Sequence, residues 1–144
     1  MFERYTERAR RAIFFARLEA GQHGSPTIDS CHILVGLLRV ESELASAFIK
    51  SVNEQATIRD EIESQIPSGE RIATTVAVPF SAESELILKH AEREAAELSH
   101  SQIGTGPIFL GILHEPASLA ARILANHNLD AAVVRQAVAS SPPS

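Results

Sequence analysis

The sequence predicts an all-α domain built from two tandem four-helix units, and three observations predict it. Apolar residues recur at i, i+3, i+4 spacing through most of the 144-residue chain, the stripe of amphipathic helices. The stretch IDSCHILVGLL at 28–38 returns as IGTGPIFLGIL at 103–113, an offset of 75 positions. Aromatic residues are scarce, with six Phe, one Tyr and no Trp, so the core must come from Leu, Ile, Val and Ala, which suits closely packed helices.

From Thr6, TERARRAIFFARLEAG places Ala9, Ala12, Ile13, Ala16 and Ala20 on one side of a first helix. Thr6 suits its N-cap, and Gly21 or Gly24 can end it. GSPT then turns the chain, and a second helix starts near Ser30 and runs through HILVGLLRV, apolar almost all round and therefore central. Ser42 is read as the cap of a third helix, ELASAFIKSV, and Thr57 as the cap of a fourth, IRDEIESQI, stopped by Pro67. Residues 67–80, PSGERIATTVAVPF, read as an extended connector; TTVAV has strand character, but no partner strand is evident.

The programme then restarts. Ser81 stands where Thr6 stood, before the long helix AESELILKHAEREAAELS, and Thr105 stands where Ser30 stood, as the expected cap of PIFLGILHE. SLAARILAN forms the next helix, Asp130 caps AAVVRQAVA, and SSPPS reads as a frayed end or the start of a linker. One domain, 1–144, thus divides into repeat one (2–66), the connector (67–80) and repeat two (81–140). Tyr5–Lys50 aligns on Phe80–Ala125 without a gap and with nine identical pairs, among them Glu19/Glu94, Ile28/Ile103 and Gly36/Gly111. A glycine inside a helix costs about 1 kcal/mol relative to alanine. Its presence at the same place in both copies predicts a close helix approach there.

Net charge is −5, which disfavours general nucleic-acid binding. The basic cluster Arg4, Arg8, Arg10, Arg11 and Arg17 reads as a solvated face or as an anchor for an acidic or phosphorylated partner. One cysteine, Cys31, cannot form an internal disulfide, and the apolar run AIFFA is too short for a signal peptide or a membrane span; a cytoplasmic protein is expected. There is no phosphate-binding GxxxxGK[ST], no HxxxH and no GxSxG, so neither catalytic residues, nor a metal, nor a cofactor is expected. Cys31 and His32 are adjacent, about 100° apart on a helix, a poor geometry for a thiolate–imidazole pair; His32 reads as a core or cap histidine.

MFERYTERARRAI, IDSCHILVGLL and the restart PFSAESELI together resemble the Clp N-terminal repeat, the double motif that precedes the ATPase modules of ClpA- and ClpC-type AAA+ unfoldases. The resemblance covers roughly residues 2–140. It implies a compact all-α domain with pseudo-twofold symmetry and no catalysis, which docks adaptors and substrates and passes them to the ATPase ring for unfolding and proteolysis. Phe2, Thr6, Arg10, Ile13, Pro79, Phe80 and Ser81 occupy positions that the family uses for a face formed by both first helices. Phe2 and Phe80 there either contact an apolar peptide or cap the core.

In some ClpC-type members each repeat also holds a phosphoarginine pocket, whose Glu in G-T-E-H takes the guanidinium. That position is Cys31 in repeat one and Gly106 in repeat two, and Pro107 replaces the His kept as His32. A buried guanidinium would lack its charge partner, which argues against phosphoarginine recognition of the family type. Two functions follow. The chain is an interaction module whose partners are a Clp-type AAA+ ATPase, its adaptors or its protein substrates, freestanding or at the front of a longer ATPase. Alternatively, it senses a small ligand or modified residue through the altered pockets at Cys31, His32, Gly106 and Pro107. A nucleic-acid or membrane partner is not expected.

Overall fold

The computed structural model describes residues 2–40, 49, 52–67 and 69–140. The expected helix at 43–52 and the tail at 141–144 lie largely or wholly outside the described residues. Among the described residues there are seven helices: α1 (Glu7–Gln22), α2 (Ser30–Val40), α3 (Val52–Gln65), α4 (Ala82–Glu97), α5 (Thr105–Leu113), α6 (Leu119–Asn126) and α7 (Ala131–Ala139).

The caps of α1 and α4 are alike. Thr6 Oγ1 accepts from the Ala9 N–H at 3.1 Å, and Ser81 Oγ accepts from the Ser84 N–H at 3.1 Å. Asp130 caps α7 as expected, accepting from the Val133 N–H at 2.9 Å. Of the two glycines that could end α1, Gly24 does so, with φ of +67° just past the C-cap His23.

Two expected caps are corrected. α3 begins at Val52, so Thr57 lies inside it; Glu54, Gln55 and Ala56 are good helix formers, and Ile58, Ile62 and Ile66 make one buried stripe from that turn onward. Thr105 is the first helical residue of α5, and Gly104 is the N-cap, with no side-chain capping bond. Pro107, third in α5, lacks an N–H that a first turn could not have used within the helix.

The largest interfaces are α1 on α2 and α4 on α5, and they are the same interface twice. A Cβ on Gly36 would lie 2.1 Å from the Ala12 carbonyl oxygen; one on Gly111 would lie 2.3 Å from that of Ile87. Both pairs are related by the 75-residue offset, and both glycines are where the helix backbones touch, as the repeat predicts.

The two units are joined by exchanged arms. Thr6 N–H donates to Ile103 O (3.0 Å) and Ile103 N–H to Arg4 O (2.8 Å), while Ser81 N–H donates to Ile28 O (3.1 Å) and Ile28 N–H to Pro79 O (2.8 Å). Each bond of one pair maps onto a bond of the other by the same offset, which is the pseudo-twofold symmetry in hydrogen-bond form. They make two isolated parallel bridges, Tyr5 with Ile103 and Ile28 with Phe80, and no longer strand among the described residues. The described residues of the connector form a loop that turns at Ala73–Val76 (Val76 N–H to Ala73 O, 3.0 Å) and is tied to the end of α1 by Gly69 N–H to His23 O (2.8 Å) and Ile72 N–H to Gly21 O (2.9 Å).

Candidate functional site

The crossing of the two arms creates a seam, and the seam carries an aromatic cluster. Phe2 stacks edge-on with Tyr5 at 5.1 Å between ring centroids and with Phe80 at 6.0 Å. Tyr5 is buried, whereas Phe2 and Phe80 are half-buried and Pro79 is exposed beside them. The structure therefore brings Phe2, Pro79 and Phe80 together at one apolar patch. Thr6 and Ser81 lie at the base of this patch with their hydroxyls committed to the helix caps, and Arg10 is exposed one turn along α1. Ile13 does not join them. It belongs to the inward stripe Ala9, Ala12, Ile13, Ala16 and is 8% exposed, so it is a core residue and not an accessible contact.

Cys31 and His32 lie on the wall of a cavity of about 430 Å³, lined also by His23, Asp29, Gln65 and Glu83 among others. His32 is the third residue of α2 and reaches back, its Nδ1 accepting the Asp29 N–H at 2.9 Å, the geometry of a capping box made with an imidazole. An Nδ1 that accepts cannot carry the proton, so the neutral ring is protonated at Nε2. Burial pushes the His32 pKa down, with Asp29 and Glu19 opposing, and Nε2 is left buried with no hydrogen-bond partner. Burial, reinforced by the Asp29 carboxylate, pushes the Cys31 thiol up to about 12. A thiol held protonated beside a neutral ring is not an activated nucleophile.

In repeat two the matching positions Gly106 and Pro107 are buried in the first turn of α5. Pro107 cannot reproduce the His32 bond, so the reach-back contact is present in repeat one and has no side-chain equivalent in repeat two. Cys31 and Gly106 carry no carboxylate themselves, but Asp29 and Glu83 line the same cavity as Cys31.

Three features of the structure were not read from the sequence. Glu19 and Glu94 are buried carboxylates, 5% and 3% exposed. Glu19 meets His23 at 3.1 Å; Glu94 meets His114 at 2.7 Å and Arg135 at 2.8 Å. Burial raises the Glu94 pKa, but the bonds from His114 and Arg135 outweigh it and hold the group below the usual carboxylate range. Its signal was available, since Glu19/Glu94 was the one charged identity between the repeats. Ser30 and Ser84 tie the repeats together, Ser30 Oγ accepting from the Ala120 N–H at 3.2 Å and Ser84 Oγ donating to Ile28 O at 2.7 Å. Phe14, expected within an apolar run, is 52% exposed.

Comparison with known proteins agrees with this architecture. The family model described as the Clp repeat (R) N-terminal domain matches residues 4–127 and 79–140. Chaperone protein ClpB of Oceanobacillus iheyensis is 32% identical over 139 residues, covering 96% of this chain and 17% of that protein. The negative regulator of genetic competence ClpC/MecB of Bacillus subtilis is 32% identical with the same coverage, and chloroplastic ClpC of Pisum sativum is 33% identical over 96% of this chain and 15% of its own length. The chain thus spans about a sixth of these relatives, with coverage of 17%, 17% and 15%. Among solved structures, the N-terminal domain of ClpD from Arabidopsis thaliana superposes with a TM-score of 0.77 at 24% identity, over 97% of this chain and 95% of that one. The N-domain of ClpV from Vibrio cholerae superposes with a TM-score of 0.79 at 17% identity, over 96% and 85%. A duplicated helical unit with exchanged arms, matched by one family model over both copies and by relatives across nearly its whole length, shows that this chain belongs to the Clp repeat N-terminal domain family.

Proposed function

We propose that the domain is a non-catalytic docking module for the substrates or adaptors of a Clp-type ATP-dependent unfoldase or protease, acting either as a freestanding adaptor or as the front of a longer ATPase. The observation that carries this reading is the half-exposed Phe2–Phe80 pair with Pro79 at the repeat seam. A rigid aromatic patch, held by four backbone bonds that cross between repeats, offers area for an apolar peptide segment at low ordering cost. No helix among the described residues is long and apolar enough to cross a membrane.

The test is a pull-down from the native cytosol with the chain as bait, beside a Pro79→Glu variant. Pro79 is exposed and contributes its carbonyl to the arm bond, so the substitution puts a charge in the patch while leaving the bond and the core in place. Recovery of a Clp ATPase, its protease or unfolded clients by the parent and their loss from the variant is the expected result. Equal recovery by both moves the docking surface elsewhere, and recovery of neither by the parent overturns the reading. The gene sequence past codon 144 decides between the freestanding and the longer form.

A second reading is favoured by the cavity beside Cys31. The buried His32 Nε2–H lacks an acceptor, while Asp29 and Glu83 put carboxylates on the same walls. A small cationic ligand that also carries a hydrogen-bond acceptor would satisfy both. Thermal-shift screening of amino acids, polyamines and guanidino compounds tests it: a rise in melting temperature that disappears in Glu83→Gln supports it, and no rise with any of them removes it.

A further inference from the structure

The two pseudo-equivalent first helices, α1 and α4, present outward faces of inverted character. On α1, Arg10, Phe14 and Arg17 stand in line at i, i+4, i+7 and are exposed; the same three positions on α4 are Glu85, Lys89 and Glu92, also exposed. Beside each line the pairing is likewise dissimilar: Arg11 on α1 matches Leu86 on α4. Phe14 is 52% exposed and Leu86 45%, so each face carries a large apolar residue in water. No ion pair within the described residues engages Arg10, Arg11, Arg17, Glu85, Lys89 or Glu92.

One face reads cation, ring, cation, and the other reads anion, cation, anion. Over seven residues each line is about 10.5 Å long, so the lines match in length as well. Two arginine–carboxylate pairs would flank a central contact of the Lys89 ammonium on the Phe14 ring, a cation–π arrangement. Because both patterns are symmetric about their centres, the match holds whether the helices meet parallel or antiparallel. Further along α4, Arg93 and Glu97 are also exposed and of opposite sign, and Glu7 precedes Arg10 on α1; they add little net field of their own. Within one molecule the two faces belong to different repeats and no ion pair joins them among the described residues, so another copy can offer the complement of each face.

We propose that this chain associates head to tail with a second copy of itself, the Arg10–Phe14–Arg17 face of α1 docking on the Glu85–Lys89–Glu92 face of α4. Made once between two copies, the contact is heterologous: the docked pair leaves one α1 face and one α4 face free. Association therefore continues beyond the dimer, into open arrays or, where other parts of an assembly set the angle, a ring. Few side chains are involved, so the contact is weak in dilute solution and strongly screened by salt. An α1–α1 contact would set arginines against arginines, which excludes a symmetric dimer built on α1 alone.

Sedimentation equilibrium over a range of protein concentrations, at low ionic strength and at about 0.5 M salt, where the Debye length is only a few Å, reads this out. The parent chain should show a weight-average mass that climbs with concentration past that of the dimer at low salt and returns to the monomer at high salt. Arg10→Glu with Arg17→Glu makes both faces acidic, and Glu85→Arg with Glu92→Arg makes both basic; each double variant should self-associate about tenfold or more weakly. Mixed together, the two variants should associate again, and a chain carrying all four substitutions should regain self-association because its faces have only been exchanged. Circular dichroism and melting temperature establish that each variant is folded, as expected for exposed positions. A parent that stays monomeric at every concentration and salt overturns the proposal. So does self-association that survives unchanged in both double variants, or folded double variants that fail to complement each other.

Discussion

Replacing Gly36 by alanine is the most direct test of how the repeat is held together. On helix propensity alone the change should stabilise α2 by about 1 kcal/mol. The structure reverses that sign. The new Cβ would sit 2.1 Å from the Ala12 carbonyl oxygen, and the obstacle is backbone, which has no rotamer to change. Restoring an ordinary carbon–oxygen separation of about 3.3 Å requires α1 and α2 to part by roughly 1.2 Å. A gap of that size forfeits a quarter to a half of the dispersion energy at each contact it opens, which puts the penalty at the upper end of the overpacking range, about 3 kcal/mol. The net is about 2 kcal/mol of destabilisation, or a fall of roughly 4–8 °C in melting temperature for a chain of this size. Gly111→Ala should behave alike, its Cβ meeting the Ile87 oxygen at 2.3 Å, whereas at Gly21 the nearest atom is Ile72 O at 3.3 Å and alanine should be nearly neutral. Calorimetry on the three variants decides the matter. If Gly36→Ala melts at or above the parent, the backbone contact is not what the glycine is for, and the close-approach explanation of the repeated glycine fails.

Three more outcomes follow from the site. Cys31 is buried and its thiol is pushed up to about 12, so in the native state it should react with a disulfide reagent at least 100-fold more slowly than after denaturation; comparable rates would place it at the surface. The pH dependence of stability should show two limbs. His32 is shifted down from an ordinary 6.5 by burial, so the unfolded chain takes up that proton first and stability falls as pH drops below 6.5. Glu94 is shifted down from 4.5, so its stabilisation is present above 4.5 and is lost as pH falls through its native value; urea midpoints from pH 8 to 3 read both limbs, and His32→Gln should remove the upper one. Ser84→Ala deletes the bond to the Ile28 carbonyl between repeats and leaves a buried acceptor served only by the Ser81 N–H, costing about 1 kcal/mol by denaturant titration; no cost would mean that the arm bonds alone hold the seam.

What was legible in the sequence was local or repeated. Thr6, Ser81 and Asp130 could be read as caps because their capping bonds close within three residues. Gly36 and Gly111 could be read as a close approach because two copies made the same unfavourable choice. Thr57 misled because a capping residue and an ordinary exposed helix residue look alike when the preceding turn is also a good helix former. Thr105 misled because a neighbouring glycine takes the cap as readily. The carboxylate centre at Glu94 was beyond local reading. Its partners come from 20 and 41 residues away, on the end of α5 and on α7, and only the packing of the second repeat brings them to one oxygen. Phe14 and Phe15 show the same limit in miniature: two adjacent rings cannot share one side of a helix, and composition does not say which faces water. The fold turns Phe14 outward and leaves Phe15 partly covered, with the Arg39 guanidinium 4.8 Å from its centroid.

The differences between the repeats have a direction. At the buried carboxylate and at the start of the second helix, repeat two is the more closed, although its Thr105 Oγ1 is buried without a partner where Ser30 Oγ has one. Its carboxylate Glu94 is sealed by His114 and Arg135, and its helix α5 starts on Gly104 and Pro107 with no imidazole in the turn. In repeat one the matching carboxylate, Glu19, has His23 from its own helix, and a cleft of about 370 Å³ bounded by Arg39, Arg59 and Glu63 opens beside it. Its helix α2 keeps His32, with an unsatisfied N–H, at the wall of the 430 Å³ cavity. Both cavities draw most of their lining from repeat one. A duplicated unit that had diverged only by drift would lose polar features from both copies without regard to position. Here the two copies differ at one position: Glu94 is held by partners from two other segments, while Glu19 faces a cleft and keeps a partner from its own helix. Substitution of Glu19 should therefore cost less stability than substitution of Glu94, whose His114 and Arg135 would both lose a buried partner, and denaturant titration of the two alanine variants reads the difference.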